Sequence, residues 1–343
     1  EGGSFGDFDR DGRGDVVVGP NWYAGPSFTT AHAIYAQEPF DPRGYSNNFF
    51  AFPRDLDADG WLDLLVVGFP GAEAFWYENP RGEERHWARH LVHPNVDNES
   101  PTYADLTGDG VAELVFHTGG VLGWAEPDVR DPRAPWIFHP LSEETKRSRF
   151  THGLGVGDVD GDGRKDLLLK DGWWQQPESL AGDPLWQHHP VPFAPGQGGA
   201  QMYVQDVDGD GDGDVITSLE AHGFGLVWHE QVRRQDAREF VPHTILGARA
   251  QDSPHGLRIG ELHAIDLADI DGDGLFDIVT GKRWWSHGAE GDPEPGAPAV
   301  VYWFELVRGS DGSVDYLPHR VHDESGVGVQ VVAGDVDGGA DRA

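Results

Sequence analysis

The sequence predicts an all-β fold, a seven-bladed β-propeller with calcium-binding hairpin loops and a seventh blade that is incomplete in this chain. Three observations predict it. An aspartate-rich loop recurs along all 343 residues, short apolar strands flank each copy, and 48 Gly with 24 Pro leave little room for helices. Repetition at this period marks a propeller or solenoid rather than two ordinary domains.

The first loop reads Asp7, Asp9, Asp11, Gly12 and Asp15. It recurs as Asp55, Asp57, Asp59, Gly60 and Asp63, then as Asp105, Thr107, Asp109, Gly110 and Glu113. Three more copies are Asp158, Asp160, Asp162, Gly163 and Asp166; Asp206, Asp208, Asp210, Gly211 and Asp214; and Asp269, Asp271, Asp273, Gly274 and Asp277. A seventh begins with Asp335 and Asp337 but carries Gly339 where the third acid belongs. Successive first aspartates stand 48, 50, 53, 48, 63 and 66 residues apart.

Each unit adds an aromatic third strand, such as Trp76-Tyr77-Glu78 or Trp228-His229-Glu230. A fourth strand carries an aromatic and then a His three residues on: Trp87/His90, Trp136/His139, Trp186/His189, Phe240/His243 and Tyr316/His319. Four strands per unit make one blade. The spacing predicts blades over 1–45, 46–97, 98–147, 148–195, 196–252 and 253–325, with a partial blade over 326–343, all in one domain of 1–343. The partial blade implies a gap or a partly open ring. The Gly/Pro/Asp-rich stretch 286–298 reads as a long surface loop.

Acids at loop positions 1, 3, 5 and 9, turned about a Gly at 6, gather oxygens around one point. Ca²⁺ takes about 6–8 such ligands at ~2.3–2.6 Å and tolerates irregular geometry. A single Asp-Gly copy would read as an ordinary solvated turn. Six intact copies at blade spacing favour several structural calcium ions, so a chelator should destabilise the blades.

Composition narrows the partners. The 59 acids against 25 bases give a formal charge of -34, which repels phosphate backbones and argues against nucleic acid. No run approaches the ~20 apolar residues a spanning helix needs, so membrane insertion is not expected. The absence of Cys leaves metal as the natural staple of a secreted or periplasmic protein. No leader is visible, and the expectation is that it has been removed.

Functional residues are sought where the repeat breaks. Six residues before each first loop aspartate lies the opposite mouth of the channel, at Glu1, Phe49, Glu99, His152, Ala200, His263 and Val329. The loops from second to third strands reach the same face and bring Asn21, Thr118, Lys170, Glu220, His222, Lys282 and Arg283. The fourth-strand histidines recur blade after blade and read as framework. His152 and His263 occupy one frame in only two blades, which favours function. His152, His222 and His263 with Glu99 suit a transition metal with an open position, Zn²⁺ or another divalent ion. Glu99 serves as ligand or base, and Lys282, Arg283 and Lys170 face developing negative charge. Trp173, Trp284, Asn21 and Glu220 are candidate sugar contacts, although the Trp173-Trp174 and Trp284-Trp285 pairs are more often blade packing.

The loop motifs resemble the FG-GAP/VCBS repeat family, whose members carry calcium in the hairpin between the first two strands of each blade. A narrower resemblance lies in His152-Gly153-Leu154-Gly155-Val156-Gly157-Asp158, Gly172-Trp173-Trp174, and His263 followed by Gly281-Lys282-Arg283-Trp284-Trp285 with His287 and Asp292. These phrases look like the propeller of the aldos-2-ulose dehydratases, metal-dependent lyases that eliminate water from keto-sugars. The resemblance implies a carbon–oxygen lyase acting by β-elimination on a small sugar or glycan. The alternative, from the wider family, is a non-catalytic binding or adhesion module for glycans or proteins. A hydrolase or polysaccharide lyase on an acidic glycan is a third reading, which the overall negative charge disfavours.

Overall fold

In the computed structural model the described residues are 2–37, 39, 41, 44–234, 237–284, 287–288 and 290–336. Glu1, Trp285, Asp337 and Gly339 lie outside them, and so does the break expected in the seventh loop. The described residues are all-β apart from one short 3-10 turn, Ala250–Asp252. None forms a helix long and apolar enough to cross a membrane.

Twenty-three strands form five antiparallel sheets. The first sheet holds β1 (Gly3–Gly6), β2 (Asp15–Val18), β3 (Asn21–Tyr23) and β4 (Ala31–Ala33) in that order. The second has seven strands: β5 (Phe50–Arg54), β6 (Asp63–Val67), β7 (Ala72–Glu78), the long β8 (Ala88–Ala104), β9 (Glu113–Thr118), β10 (Val121–Glu126) and β11 (Ile137–Pro140). Within it β8 ends one four-stranded unit and begins the next, pairing with β7 over its first half and with β9 over its second. The third sheet is β12 (Gly155–Gly157), β13 (Asp166–Leu169), β14 (Gly172–Gln175) and β15 (Gln187–Pro190). The fourth is β16 (Tyr203–Gln205), β17 (Asp214–Ser218), β18 (Leu226–Arg234) and β19 (Ala237–Leu246). The fifth is β20 (Ile265–Ala268), β21 (Asp277–Lys282), β22 (Val300–Arg308) and β23 (Val314–His322). These make six four-stranded units, matching the six intact loops.

The second strand of each unit is the most apolar, and β6, β13, β17 and β21 are buried at every residue. A strand covered on both faces reads as a continuous apolar run rather than an alternation. The core is accordingly divided among five clusters, each joining two units consecutive in sequence. Phe8, Val17 and Trp22 meet Leu64, Val66 and Trp87, for example, and Ile216 and Trp228 meet Ile278 and Phe304. First strands of neighbouring units approach closely: Gly155 bridges Met202 in parallel, and a Cβ there would lie 2.1 Å from the Met202 carbonyl oxygen.

The recurring histidines are framework, as their repetition implied. Each third-strand Trp lies opposite a fourth-strand His, as Trp22 with His32, Trp173 with His189, Trp228 with His243 and Trp303 with His319, stacked at 4.1–4.3 Å. The far edge of the imidazole meets the acid two residues beyond that Trp: His90 and Glu78 at 2.9 Å, His243 and Glu230 at 2.6 Å, His319 and Glu305 at 2.7 Å. Cross-strand pairs of this kind fix register.

The expected first strand of a seventh unit is not formed among residues 326–336. That segment instead threads between the first and last units. Gln330 Oε1 accepts from the amides of Gly3 and Ala51, and its Nε2 donates to the Ala51 carbonyl. On the other side the Ala333 amide donates to Asp266 Oδ2.

Candidate functional site

The loop acids do two jobs. The ninth-position acid is buried in every copy and holds the hairpin shut. Asp214 Oδ2 accepts from the Val207 amide at 2.9 Å and Oδ1 from Gln231 at 2.8 Å, and Asp63, Asp166 and Asp277 repeat both bonds. Burial, against these hydrogen bonds, pushes Asp63, Asp166 and Asp214 up to about 7 and Glu113 up to about 6. The first-position acid wraps the turn: Asp55 accepts from the amides of Asp59 and Gly60. A hydrogen-bonded carboxylate oxygen keeps a second lone pair, so these bonds leave the oxygens able to ligate. Asp7, Asp9 and Asp15 place one oxygen each within 4.8 Å of one another, as do Asp55, Asp57 and Asp63, and Asp105, Asp109 and Glu113. Such spacing fits hard-oxygen coordination at roughly 2.3–2.6 Å. Thr107 departs from this role, because its hydroxyl donates to Glu113 Oε1 at 2.9 Å. Arginines partly offset the charge, with Arg81 on Asp59 at 2.5 Å and Arg133 on Asp57 at 3.0 Å.

Four of the residues singled out by sequence come together away from these loops. Glu99 stands in β8, His152 just ahead of β12, His222 in the loop from β17 to β18, and His263 just ahead of β20. His263 Nε2 lies 3.2 Å from His152 Nε2 and 3.3 Å from His222 Nε2. Glu99 Oε2 is 3.1 Å from His152 Nε2 and 3.8 Å from His263 Nε2. Backbone pairing sets this up, since the Asn98 and Glu99 amides donate to the Arg149 and Thr151 carbonyls. The His152 amide donates to the Gln197 carbonyl, where Gly198, at φ +96°, brings the chain so close that a Cβ would strike His152 O.

Tetrahedral ligands with metal–nitrogen bonds of about 2.0–2.1 Å stand roughly 3.3 Å apart, which is the separation His263 Nε2 shows from each of the other two. Hydrogen bonding alone does not account for it, because His263 Nε2 faces two other Nε2 atoms and one proton cannot bridge both. Burial holds two of these imidazoles neutral, pushing His222 down to about 4 and His263 well below its ordinary value. Neutral imidazoles offer lone pairs. His152 is 2% exposed and His263 0%, so this group of side chains is largely buried. Asp292 adds an outer support: its Oδ1 lies 3.4 Å from His222 Nδ1 and 2.9 Å from His287 Nδ1. A carboxylate on the far nitrogen is the usual way a ligating His is oriented. The three histidines fit a divalent transition ion, with Glu99 beside them as a further ligand or as a base.

The other expected residues take different places. The oxyanion role expected for Lys282 is not one its position allows. Its ammonium is buried, ion-paired to Glu261 Oε1 at 2.9 Å, and donates to the carbonyls of Arg283 and Trp284. Arg283 does face the cluster: it feels the carboxylates of Glu99, Glu261 and Asp292, and its Nε is buried without a hydrogen-bond partner. Trp173 is 2% exposed and stacked on His189, so its expected sugar contact is corrected to blade packing. Trp284 is 56% exposed. Asn21 opens β3 opposite Val18, Glu220 lies exposed in the β17–β18 loop, and Lys170 lies in the β13–β14 turn beside Gly198. None of these three joins the four-residue group.

Two contributors escape motif reading. Glu261 is fully buried at φ +59° two residues ahead of His263, with no periodic signal to mark it. Tyr45 sits among Phe49 and Phe69 at 5.2–5.9 Å and lies close enough to Arg283 to feel its charge.

Residues 55–116 match the FG-GAP-like repeat family. No curated protein matches the chain. Among solved structures, an Agrocybe aegerita lectin described as recognising non-reducing terminal N-acetylglucosamine aligns with a TM-score of 0.56 at 16% identity, over 94% of this chain and 80% of its own. A biofilm matrix protein of V. cholerae aligns at 18% identity and TM-score 0.39, over 82% of this chain and 40% of its own. The chain is thus an all-β protein carrying an FG-GAP-like repeat, similar in fold to a glycan-binding lectin.

Proposed function

We propose that the chain is a calcium-stapled propeller, exported to the periplasm or cell exterior, whose mouth carries a carbon–oxygen lyase site for an oxidised sugar. Six units packed in sequence order, with residues 329–336 set between β1 and β20, support a ring of seven positions. The observation that carries the function is the convergence of His152, His222, His263 and Glu99 within 4.8 Å. A divalent transition ion held there, such as Zn²⁺, supplies a Lewis acid for a keto oxygen. Asp292 keeps His222 Nε2 turned inward. Glu99 is the carboxylate placed to take a proton from the carbon beside the carbonyl. Arg283 brings open N–H donors to negative charge growing on the oxygen. The narrower resemblance to aldos-2-ulose dehydratases supports the same chemistry.

The test is elimination from a keto-glycoside, read as release of the leaving group with an unsaturated keto-sugar. His152→Ala/His263→Ala should abolish it, and turnover surviving in that variant sinks the lyase reading. The lectin-like fold favours a second reading, a glycan-binding module without catalysis. Recovery of unchanged sugar after saturable binding at the mouth would select it.

A further inference from the structure

A second cleft carries an inference independent of the lyase reading. It has a volume of about 800 Å³ and lies between the third and fourth units, lined by Lys146, Arg147, Thr151, Lys170, Trp174 and Gln197. That size suits two or three sugar rings, since small-molecule sites run from roughly 300 to 1,000 Å³. Its charge departs from that of the molecule. The chain is -34 overall, yet three cations line this cleft against two carboxylates, Glu143 and Asp171.

Arg147 is the built element. Its side chain is 11% exposed, its guanidinium lies 5.1 Å from the Trp174 ring centre, and Trp174 is braced on its own part by His188 stacked at 4.2 Å. Asp171 engages only Nη1, at 3.3 and 3.4 Å, and Nε is buried with no hydrogen-bond partner. A buried N–H without an acceptor is a standing cost, which an anion reaching it would remove. The cleft also adjoins the metal-ligating cluster: Thr151 precedes His152, and the Gln197 carbonyl accepts the His152 amide.

We infer that this cleft binds an anionic saccharide, with Arg147 gripping the acidic group and Lys146 and Lys170 adding charge. Calorimetric titration of calcium-loaded protein with trigalacturonate, its carboxyl-reduced neutral counterpart and a sulfated trisaccharide of equal charge tests this. At least one anionic probe should bind tenfold or more tighter than the neutral one, weakening as salt is raised, and the stronger probe names the anion. Lys146→Gln/Arg147→Gln should lose at least tenfold in that affinity. Because Arg147 is largely buried, Lys146→Gln/Lys170→Gln serves as a second variant and should lose severalfold with unchanged melting temperature. Equal affinity for the neutral probe, no binding of either anionic probe, or full affinity in both variants overturns the inference.

Discussion

At the scale of single residues, the molecule separates histidines that hold the fold from histidines that hold a ligand, and pH should expose the first kind. His229 is 5% exposed, bonded through Nε2 to the Phe193 carbonyl, and burial pushes it down to about 4. The unfolded chain takes up that proton near pH 6.5 and the folded chain does not. Stability present above 6.5 is therefore lost as pH falls toward 4, by about 2 kcal/mol between pH 7 and pH 5 for this residue. Urea unfolding at the two pH values should show a smaller fall in His229→Gln than in the parent; equal falls contradict the assignment. His263 is expected to show in metal content. The repeat frame pointed to His152 and His263 because only two units carry a His there. It could not mark Glu261 or Arg147, whose roles come from contacts between loops far apart in sequence.

At the scale of elements, the loop acids divide by position. Asp214 is buried on two backbone amides, so Asp214→Asn should cost about 1–3 kcal/mol with or without calcium, since an amide donor then faces another donor. Asp210 is exposed and accepts only the Asp212 amide, so Asp210→Asn should be near neutral in chelator and forfeit part of the calcium-dependent gain in melting temperature. Thermal unfolding of both variants, with calcium and with chelator, checks this; identical behaviour of the two would contradict it. Hairpins and blade strands were legible because each repeats its own chemistry. The long β8, one strand shared by two units, was not, because Pro94, Asn95, Asp97 and Asn98 read as a turn between the units where the chain in fact runs on as strand.

At the scale of the whole molecule, the segment 329–336 lies between the first and last four-stranded units. Its anchor is one side chain: Gln330 reaches three backbone groups of the first two units. Gln330→Ala should lower stability by about 1–3 kcal/mol in denaturant melts, a large effect for an exposed-looking tail residue. No change would show that the segment is not held there. The central claim is the metal centre, and elemental analysis tests it most directly. Protein stripped of calcium with a calcium-selective chelator and then exposed to Zn²⁺ should retain one tightly held equivalent per chain, lost in His152→Ala/His263→Ala. A parent that retains none, or a variant that retains as much, contradicts the account.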